Sequence, residues 1–396
     1  MGKKKSIAII GGGASALSLA SFLDGDLFDV TIYEKNKTLG RKFLVAGKGG
    51  FNLTHSESIE NMEGKYSPQE FLNEALVVFD NEQFRDWLKT IGIPTYVGSS
   101  KRVFPEKGIK PIEVLSAIKE SILSKGHHIM YNKKWLGWSE SNNLIFQGEL
   151  EVKADVTVFC LGGGSWKVTG SDGSWSNHFS EKGMEIIPFV PANCAYEVNW
   201  NPEFILKSNG KPLKNIAIES RGHRIEGEAV ITKFGIEGNA VYALTEQIQD
   251  QLSKVGKSII SIDLKPMFSL EEVEKRITNS KKKTTEILSE DLKLEKVKIQ
   301  LLKSILSKDE YLEKQVLVKR IKSLSIKIQS AEMIDKAIST TGGLALTEIG
   351  DNYQLNKMLN CYAIGEMLDW NAPTGGYLLQ ACFSMGNRLA KYLNNN

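Results

Sequence analysis

Gly11-Gly12-Gly13-Ala14-Ser15-Ala16 fits the pattern G-x-G-x-x-G/A, and it stands where that pattern carries chemistry. The isoleucine-rich run Ser6–Ile10 precedes it and reads as a buried parallel strand. Ala14–Leu23 follows with helical character, and Asp29–Tyr33 reads as a second strand closed by Glu34. In such a unit Gly11 permits the tight turn, Gly13 lets a pyrophosphate approach the backbone, and Ala16 lets the helix lie close to the sheet. The helix end at Ala14 and Ser15 then offers unpaired N–H groups and a favourable dipole to phosphates. Glu34 lies 23 residues after Gly11, where a carboxylate accepts both hydroxyls of an adenosine ribose. Lys35 is next in the chain and is counted with this site.

A dinucleotide turn alone does not separate nicotinamide from flavin. The far end of the chain does. Ala363-Ile364-Gly365-Glu366-Met367-Leu368-Asp369 puts acids just beyond an apolar strand. Asp369 is placed to hydrogen-bond the ribityl hydroxyls of a flavin, a chain that NAD lacks; its alternative reading is a solvent-facing loop acid. Thr374-Gly375-Gly376-Tyr377 opens a helix whose N-terminus can point at flavin N1 and O2, where negative charge develops on reduction. The expected cofactor is therefore FAD, with NADH or NADPH as a transient reductant. Gly162-Gly163-Gly164 follows a strand without an acid to close a second βαβ unit, so a separate nicotinamide domain is not expected.

At this point the sequence resembles the bacterial NAD(P)/FAD-dependent oxidoreductase family of the YhiN type, with its aminoacetone-oxidase-like and bile-acid-reductase-like members. Four segments carry the resemblance: Gly11–Ala16 with Glu34; Leu39-Gly40-Arg41-Lys42 through Gly47-Lys48-Gly49-Gly50-Phe51-Asn52-Leu53-Thr54-His55; Gly170–Trp175; and Gly365–Tyr377. Gly227–Gly238 adds a weaker match. One departure matters. Most of the family resembles Ser-Gly-Gly-Gly-Arg-Cys-Asn-x-Thr-Asn in the second segment. Gly50 and Phe51 stand here in place of Arg-Cys, and His55 in place of the last Asn, as in a Gly-Lys-Gly-Gly subfamily. Chemistry needing that Arg or Cys is not carried over, whereas Asn52 and Thr54 match as part of the flavin-side loop.

The resemblance and the residues together nominate a site. Arg41 and Lys42 are expected to neutralise the pyrophosphate. Lys48, between Gly47 and Gly49-Gly50, is a candidate cation beside the flavin ring that would stabilise its reduced form. His55 is read either as a proton donor or as a satisfied loop histidine. Arg102, in Lys101-Arg102-Val103-Phe104-Pro105, is placed to bind an anionic substrate group. Trp175 and Tyr377 are either pocket walls or ordinary core. Lys48, His55, Arg102 and Tyr377 are the catalytic candidates. Asn52, Leu53, Gly162 and Gly163 complete the expected cofactor contacts.

The elements that must position these residues follow from periodicity. Phe71–Thr90 and Pro111–Ser124 read as helices, and Val152–Leu161 as a further buried strand. From about Pro188, Cys194–Trp200, Ala217–Ser220, Glu228–Lys233 and Ser258–Asp263 look like strands between turns. Leu270 to about Ile334 reads as amphipathic helices, with Leu317, Ile321, Leu324 and Ile328 on one face. Leu359–Ile364 reads as a strand and Gly376–Leu393 as a final helix. The resemblance implies an α/β fold that agrees with these shifts of character: a Rossmann-type, glutathione-reductase-like FAD domain made of 1–188 and 335–396, with an inserted β-barrel-like and helical substrate domain at 189–334.

The chain has 396 residues, 24% of them charged and 41% hydrophobic, with a net charge of +3. That charge gives no argument for nucleic acid. Lys281-Lys282-Lys283 sits among acids and reads as a solvated helix face. The four cysteines form no CxxC pair, so no zinc site is expected, and their low count suits a reducing cytoplasm. No nucleophile elbow supports hydrolysis. The expectation is an FAD-dependent oxidoreductase acting on a small organic substrate by hydride transfer at flavin N5, with no membrane or nucleic-acid partner. The alternatives are a flavoprotein acting on RNA or a flavin-binding sensor.

Overall fold

In the computed structural model, which describes residues 3–45 and 51–396, the chain divides into two units. One joins Met1–Val190 to Ile338–Asn396; the other is Pro191–Ala337.

The first unit is built on five parallel strands: β1 Lys5–Ile10, β2 Phe28–Tyr33, β3 His128–Met130, β4 Val156–Phe159 and β5 Cys361–Ala363. Their order is β5-β4-β1-β2-β3. This is the doubly wound Rossmann arrangement, completed by a strand from the far end of the chain. Ile7, Ile9 and Ile10 of β1 and Val30 and Ile32 of β2 are buried, as a sheet covered on both faces requires. Helix α1, Ala14–Phe22, and the C-terminal helix, Tyr377–Asn394, pack together: a Cβ on Gly386 would stand 2.6 Å from Ser18 Cβ, and Ser18 Oγ donates to the Phe383 carbonyl.

Three expectations for this unit are corrected. The expected strand Val152–Leu161 is two pieces. Leu150–Val152 joins an antiparallel sheet with Trp135–Trp138 and Leu144–Phe146, and only Val156–Phe159 enters the central sheet. The expected helix Phe71–Thr90 is broken at Phe79. Asp80 starts a new helix, Asn81–Thr90, through a capping box with Gln83. The Phe79 carbonyl freed by the break accepts from Gln380 Nε2 and Ser384 Oγ of the C-terminal helix. Of the expected strand Leu359–Ile364 only Cys361–Ala363 pairs with β4, and Cys361 is half-buried while Cys160 is buried.

The second unit is a six-stranded antiparallel sheet. Its order is Tyr196–Glu197, Gly235–Glu237, His223–Ile231, Pro212–Ser220, Ser258–Asp263 and Leu324–Ile328. Helices Thr245–Val255, Leu270–Thr278, Lys296–Ile305 and Lys314–Lys322 accompany it. Leu324–Ile328 corrects the helical reading. It pairs antiparallel with Ser258–Asp263 and buries Leu324, Ile326 and Ile328 alternately. The expected strand Cys194–Trp200 shrinks to Tyr196–Glu197. Lys282 pairs with Glu290 at 2.9 Å and Asp291 at 2.6 Å, as a solvated charge run would. Among the described residues no helix is long and apolar enough to cross a membrane.

Candidate flavin and substrate site

The glycine turn has the properties its sequence implies. Gly11 takes φ +100°, and a Cβ there would stand 2.4 Å from the Cys160 carbonyl oxygen at the end of β4, so no other residue fits. Gly13, the residue before α1, is different: a Cβ there would meet nothing within 4 Å among the described residues. Among those residues the space over the first turn of α1 is open. That turn has no side-chain cap and no acidic residue, so its leading N–H groups remain for a ligand. Glu34, at the end of β2, is buried. Its Oε2 accepts the Gly12 N–H at 2.8 Å, and its Oε1 accepts from Asn36 N and Nδ2, each at 2.7 Å. These bonds pin the carboxylate beside the turn and leave lone pairs on Oε2 for a ribose hydroxyl.

The cationic arm behaves otherwise than expected. Lys42 Nζ does not stand free for a pyrophosphate. It lies 2.8 Å from both Glu366 oxygens and donates to Ser165 Oγ at 2.9 Å. Glu366 is 8% exposed, so the pairing offsets its desolvation. Arg41 donates to Asn36 Oδ1 and to the Val168 carbonyl. Lys35 pairs with Asp172 at 2.9 Å. Burial pushes the Asp172 carboxyl up, but hydrogen bonds from Lys35 and Ser174 outweigh it and hold the group below its usual range.

Asp369 is likewise engaged, accepting the Gly342 N–H at 2.9 Å. It braces Gly342 and Gly343, whereas Glu366 lies beside the glycine turns: a Cβ on Gly163 would sit 3.1 Å from Glu366 Cδ, and one on Gly365 would sit 2.2 Å from Ser15 Oγ of α1. Glu366 thus lies against Gly163 and Lys42, and Asp369 against Gly342. Ala14, Ser15 and Ala16 form the first turn of α1 with Ser15 and Ala16 buried. Trp175 donates its indole N–H to the Gly162 carbonyl and packs on Phe179 and Phe189, so it is core that shapes the glycine turn.

Three of the four catalytic candidates lie on neighbouring elements. Thr54–His55 pairs antiparallel with Arg102–Pro105, placing His55 opposite Arg102. Gly376, at φ +102°, lets the start of the C-terminal helix lie against Thr54, whose Cα would be 2.6 Å from a Cβ there. Leu53 is buried and donates to the Val103 carbonyl, and Asn52 is half-buried beside it. The His55 ring stacks on Tyr377 at 5.2 Å. Its Nδ1 accepts the Glu57 N–H at 3.3 Å, and the ring also bonds the Ser100 backbone. Burial, ahead of the opposing pull of Glu57, holds the imidazole below its ordinary range. The satisfied-histidine reading describes this geometry. Arg102 is half-buried and makes no side-chain hydrogen bond or ion pair among the described residues. Gly47, Lys48, Gly49 and Gly50 lie outside the described residues.

Glu57, Ser165 and Thr340 were not legible as site residues. Glu57 Oε1 accepts the Tyr377 hydroxyl at 2.5 Å. Thr340 Oγ1 accepts the Gly164 N–H at 3.1 Å. Their only sequence signal is nearness to a motif: Glu57 two places after His55, Ser165 after the Gly162 turn, Thr340 before Gly342-Gly343. Trp166 Nε1 and Asn371 Oδ1 are buried without a partner among the described residues. Each sits on a loop that carries a motif, as polar groups awaiting a ligand do.

The model of the HI0933-like protein Rossmann domain matches residues 5–392. A 3-dehydro-bile acid delta(4,6)-reductase of Clostridium scindens is 24% identical over 402 residues, covering 96% of this chain and 97% of its own. A ribosomal RNA dihydrouridine synthase of Haemophilus influenzae is 23% identical over 392 residues, covering 95% of each chain. Among solved structures, a 3-ketosteroid-delta4-(5alpha)-dehydrogenase of Rhodococcus jostii aligns with a TM-score of 0.51 at 13% identity, covering 98% of this chain and 97% of that one, a likeness of fold alone. With an open glycine turn, a discontinuous Rossmann sheet and a family match along nearly its whole length, the chain belongs to the HI0933-like Rossmann-domain family of flavoenzymes.

Proposed function

We propose that the protein is an FAD-dependent oxidoreductase that exchanges hydride between flavin N5 and a small organic substrate. The observation that carries this reading is the open side of Gly13 above an uncapped α1, with the Glu34 carboxylate pinned alongside. Gly11, Gly13, Ala14, Ser15 and Ala16 would hold the pyrophosphate and Glu34 the ribose. Asn52, Leu53, Gly162, Gly163, Gly365, Glu366, Asp369, Gly375, Gly376 and Tyr377 would frame the rest. Lys35, Arg41 and Lys42 would lend positive charge through the bonds they already make. Bound there, FAD would supply a ring that accepts and returns a hydride, which no protein side chain does. The chain's own part is orientation: the uncapped N-terminus of the C-terminal helix favours negative charge near it, and Arg102 would hold an anionic or carbonyl oxygen of the substrate.

We assign the FAD-binding role to 1–188 with 335–396 and the substrate-domain role to 189–334. Within the family we place the chain in a YhiN-type branch marked by Gly47-Lys48-Gly49-Gly50. NADH or NADPH is the proposed transient reductant. The test is an absorbance spectrum followed by anaerobic addition of each nucleotide. Bands near about 370 and about 450 nm that bleach on addition support the reading. Protein that neither carries nor takes up FAD refutes it.

A second reading, favoured by the likeness to the Haemophilus influenzae synthase, makes the substrate a base in RNA. The lysine-rich helices of the second unit would then contact phosphates. Affinity for ribosomal RNA should fall with log salt at a slope of roughly 0.7–0.9 per phosphate contacted. Weak binding with a flat salt dependence rejects it.

A further inference from the structure

Glu57 is a carboxylate that no dinucleotide motif requires. Its 2.5 Å bond from the Tyr377 hydroxyl is at the short end for a hydroxyl donating to a carboxylate. Tyr377 is 6% exposed and the Glu57 side chain 14%. Groups so shielded are costly unless bonded to each other. Here the bond has a direction, phenol donating and carboxylate accepting. A second base or acid that reaches the phenol oxygen can therefore pass a proton along it.

The surroundings of the pair are defined. His55 stacks on the Tyr377 ring and accepts the Glu57 N–H. Lys101 and Arg102 lie on the neighbouring strand side, and Tyr66 donates to the Tyr377 carbonyl at 3.0 Å with Cys382 near it. A Cβ on Gly375 would stand 3.3 Å from the Tyr377 ring and 3.6 Å from Arg102 Nε. One bare backbone position is thus flanked by a proton-bearing ring and a cation without an ion-pair partner among the described residues.

We propose that Tyr377 and Glu57 form the proton relay of this redox site, and that Arg102 selects substrates with an oxyanion or carbonyl oxygen next to the carbon that exchanges hydride. This rests on the flavin reading above. In the oxidative direction a substrate proton passes to Tyr377 Oη while the Tyr377 proton passes to Glu57 Oε1, and the hydride leaves the adjacent carbon for the oxidised flavin. In the reductive direction the same bonds form and break in reverse. His55 is a positioning residue that holds the Glu57 backbone.

Burial, the hydrogen bond to Glu57 and its charge all push the Tyr377 phenol far up, so alone it does not ionise; it needs Glu57 to move a proton. The test is the pH dependence of the midpoint potential of the FAD-loaded protein between pH 6 and 9. Each proton taken up with two electrons changes the reduction equilibrium tenfold per pH unit, about 30 mV. Bound beside the relay, a reduced flavin would draw one proton onto the pair. Glu57→Gln and Tyr377→Phe should each lower the slope by one such step. Equal slopes in wild type and Glu57→Gln overturn the relay. Glu57→Gln keeps the shape of the side chain and decides the matter if Tyr377→Phe fails to fold. Wild-type protein that takes up no FAD overturns the flavin reading itself, a different failure from unchanged slopes.

Discussion

The two units differ in how completely particular charges are paired. In the second unit Asp263, 2% exposed, is saturated: Arg224 lies at 2.9 Å, Lys322 at 2.7 Å, and the Lys265 N–H donates at 3.0 Å. Lys298, 3% exposed, donates to the Leu264 and Asn215 carbonyls, the latter at the bulge of strand Pro212–Ser220. Each of these charges has its partners within the fold. In the first unit, among the described residues, Arg102 has none and the side of Gly13 is open. A saturated charge holds a fold together, whereas an unsaturated one near an open turn is available to a ligand.

The largest expected effect breaks that comparison at its strongest point. Asp263→Asn should destabilise the protein by about 3–5 kcal/mol in urea denaturation, because Arg224 and Lys322 lose their shared counter-charge. Arg102→Leu should change stability by less than about 0.5 kcal/mol while weakening substrate capture. Equal costs for the two would erase the distinction. Next come the glycines. Gly11→Ala should cost about 2–3 kcal/mol from positive φ and the clash with the Cys160 carbonyl. Gly13→Ala should leave apoprotein stability within about 1 kcal/mol, yet lower FAD affinity about tenfold or more, near 1.4 kcal/mol. Calorimetry of apoprotein beside flavin titration separates the two.

The last prediction concerns pH. Burial lowers the Lys298 ammonium to about 8 in the folded protein, from an ordinary value near 10.5. Between those values the unfolded chain binds more protons than the folded one, so stability rises with pH across that window. Below about 8 both states are charged and the burial cost is constant. The stability of wild type relative to Lys298→Met should therefore increase from pH 8 to 10.5, by at most about 1.4 kcal/mol per pH unit. A difference flat across that range would show that Lys298 stays charged through its two carbonyl bonds.

Much of the nucleotide end was legible because its requirements are local. Gly11 must be glycine for a turn that its own neighbours define, and Glu34 follows β2 in every register that keeps Val30 and Ile32 buried. The second unit was less legible. Leu317, Ile321, Leu324 and Ile328 continue a helical spacing, yet Leu324, Ile326 and Ile328 equally suit a strand. Pairing with Ser258–Asp263 chooses between them. Lys42 and Glu366 are far apart in the chain, and only the return of β5 to the sheet makes them partners.

By itself the amino-acid order determined the dinucleotide turn, the acid that follows β2, the discontinuous α/β class and the residues from which a redox site would be drawn. Those follow from backbone sterics and from periodic apolar runs, which act over a few residues. Tertiary structure alone decided that Glu366 lies against Gly163 while Asp369 bonds Gly342, that Lys42 is already paired, and that Glu57 meets the Tyr377 hydroxyl across 320 positions of chain. Hydrogen bonds and desolvation act over distances in space, and no local spacing encodes which distant groups the sheet will bring within 3 Å.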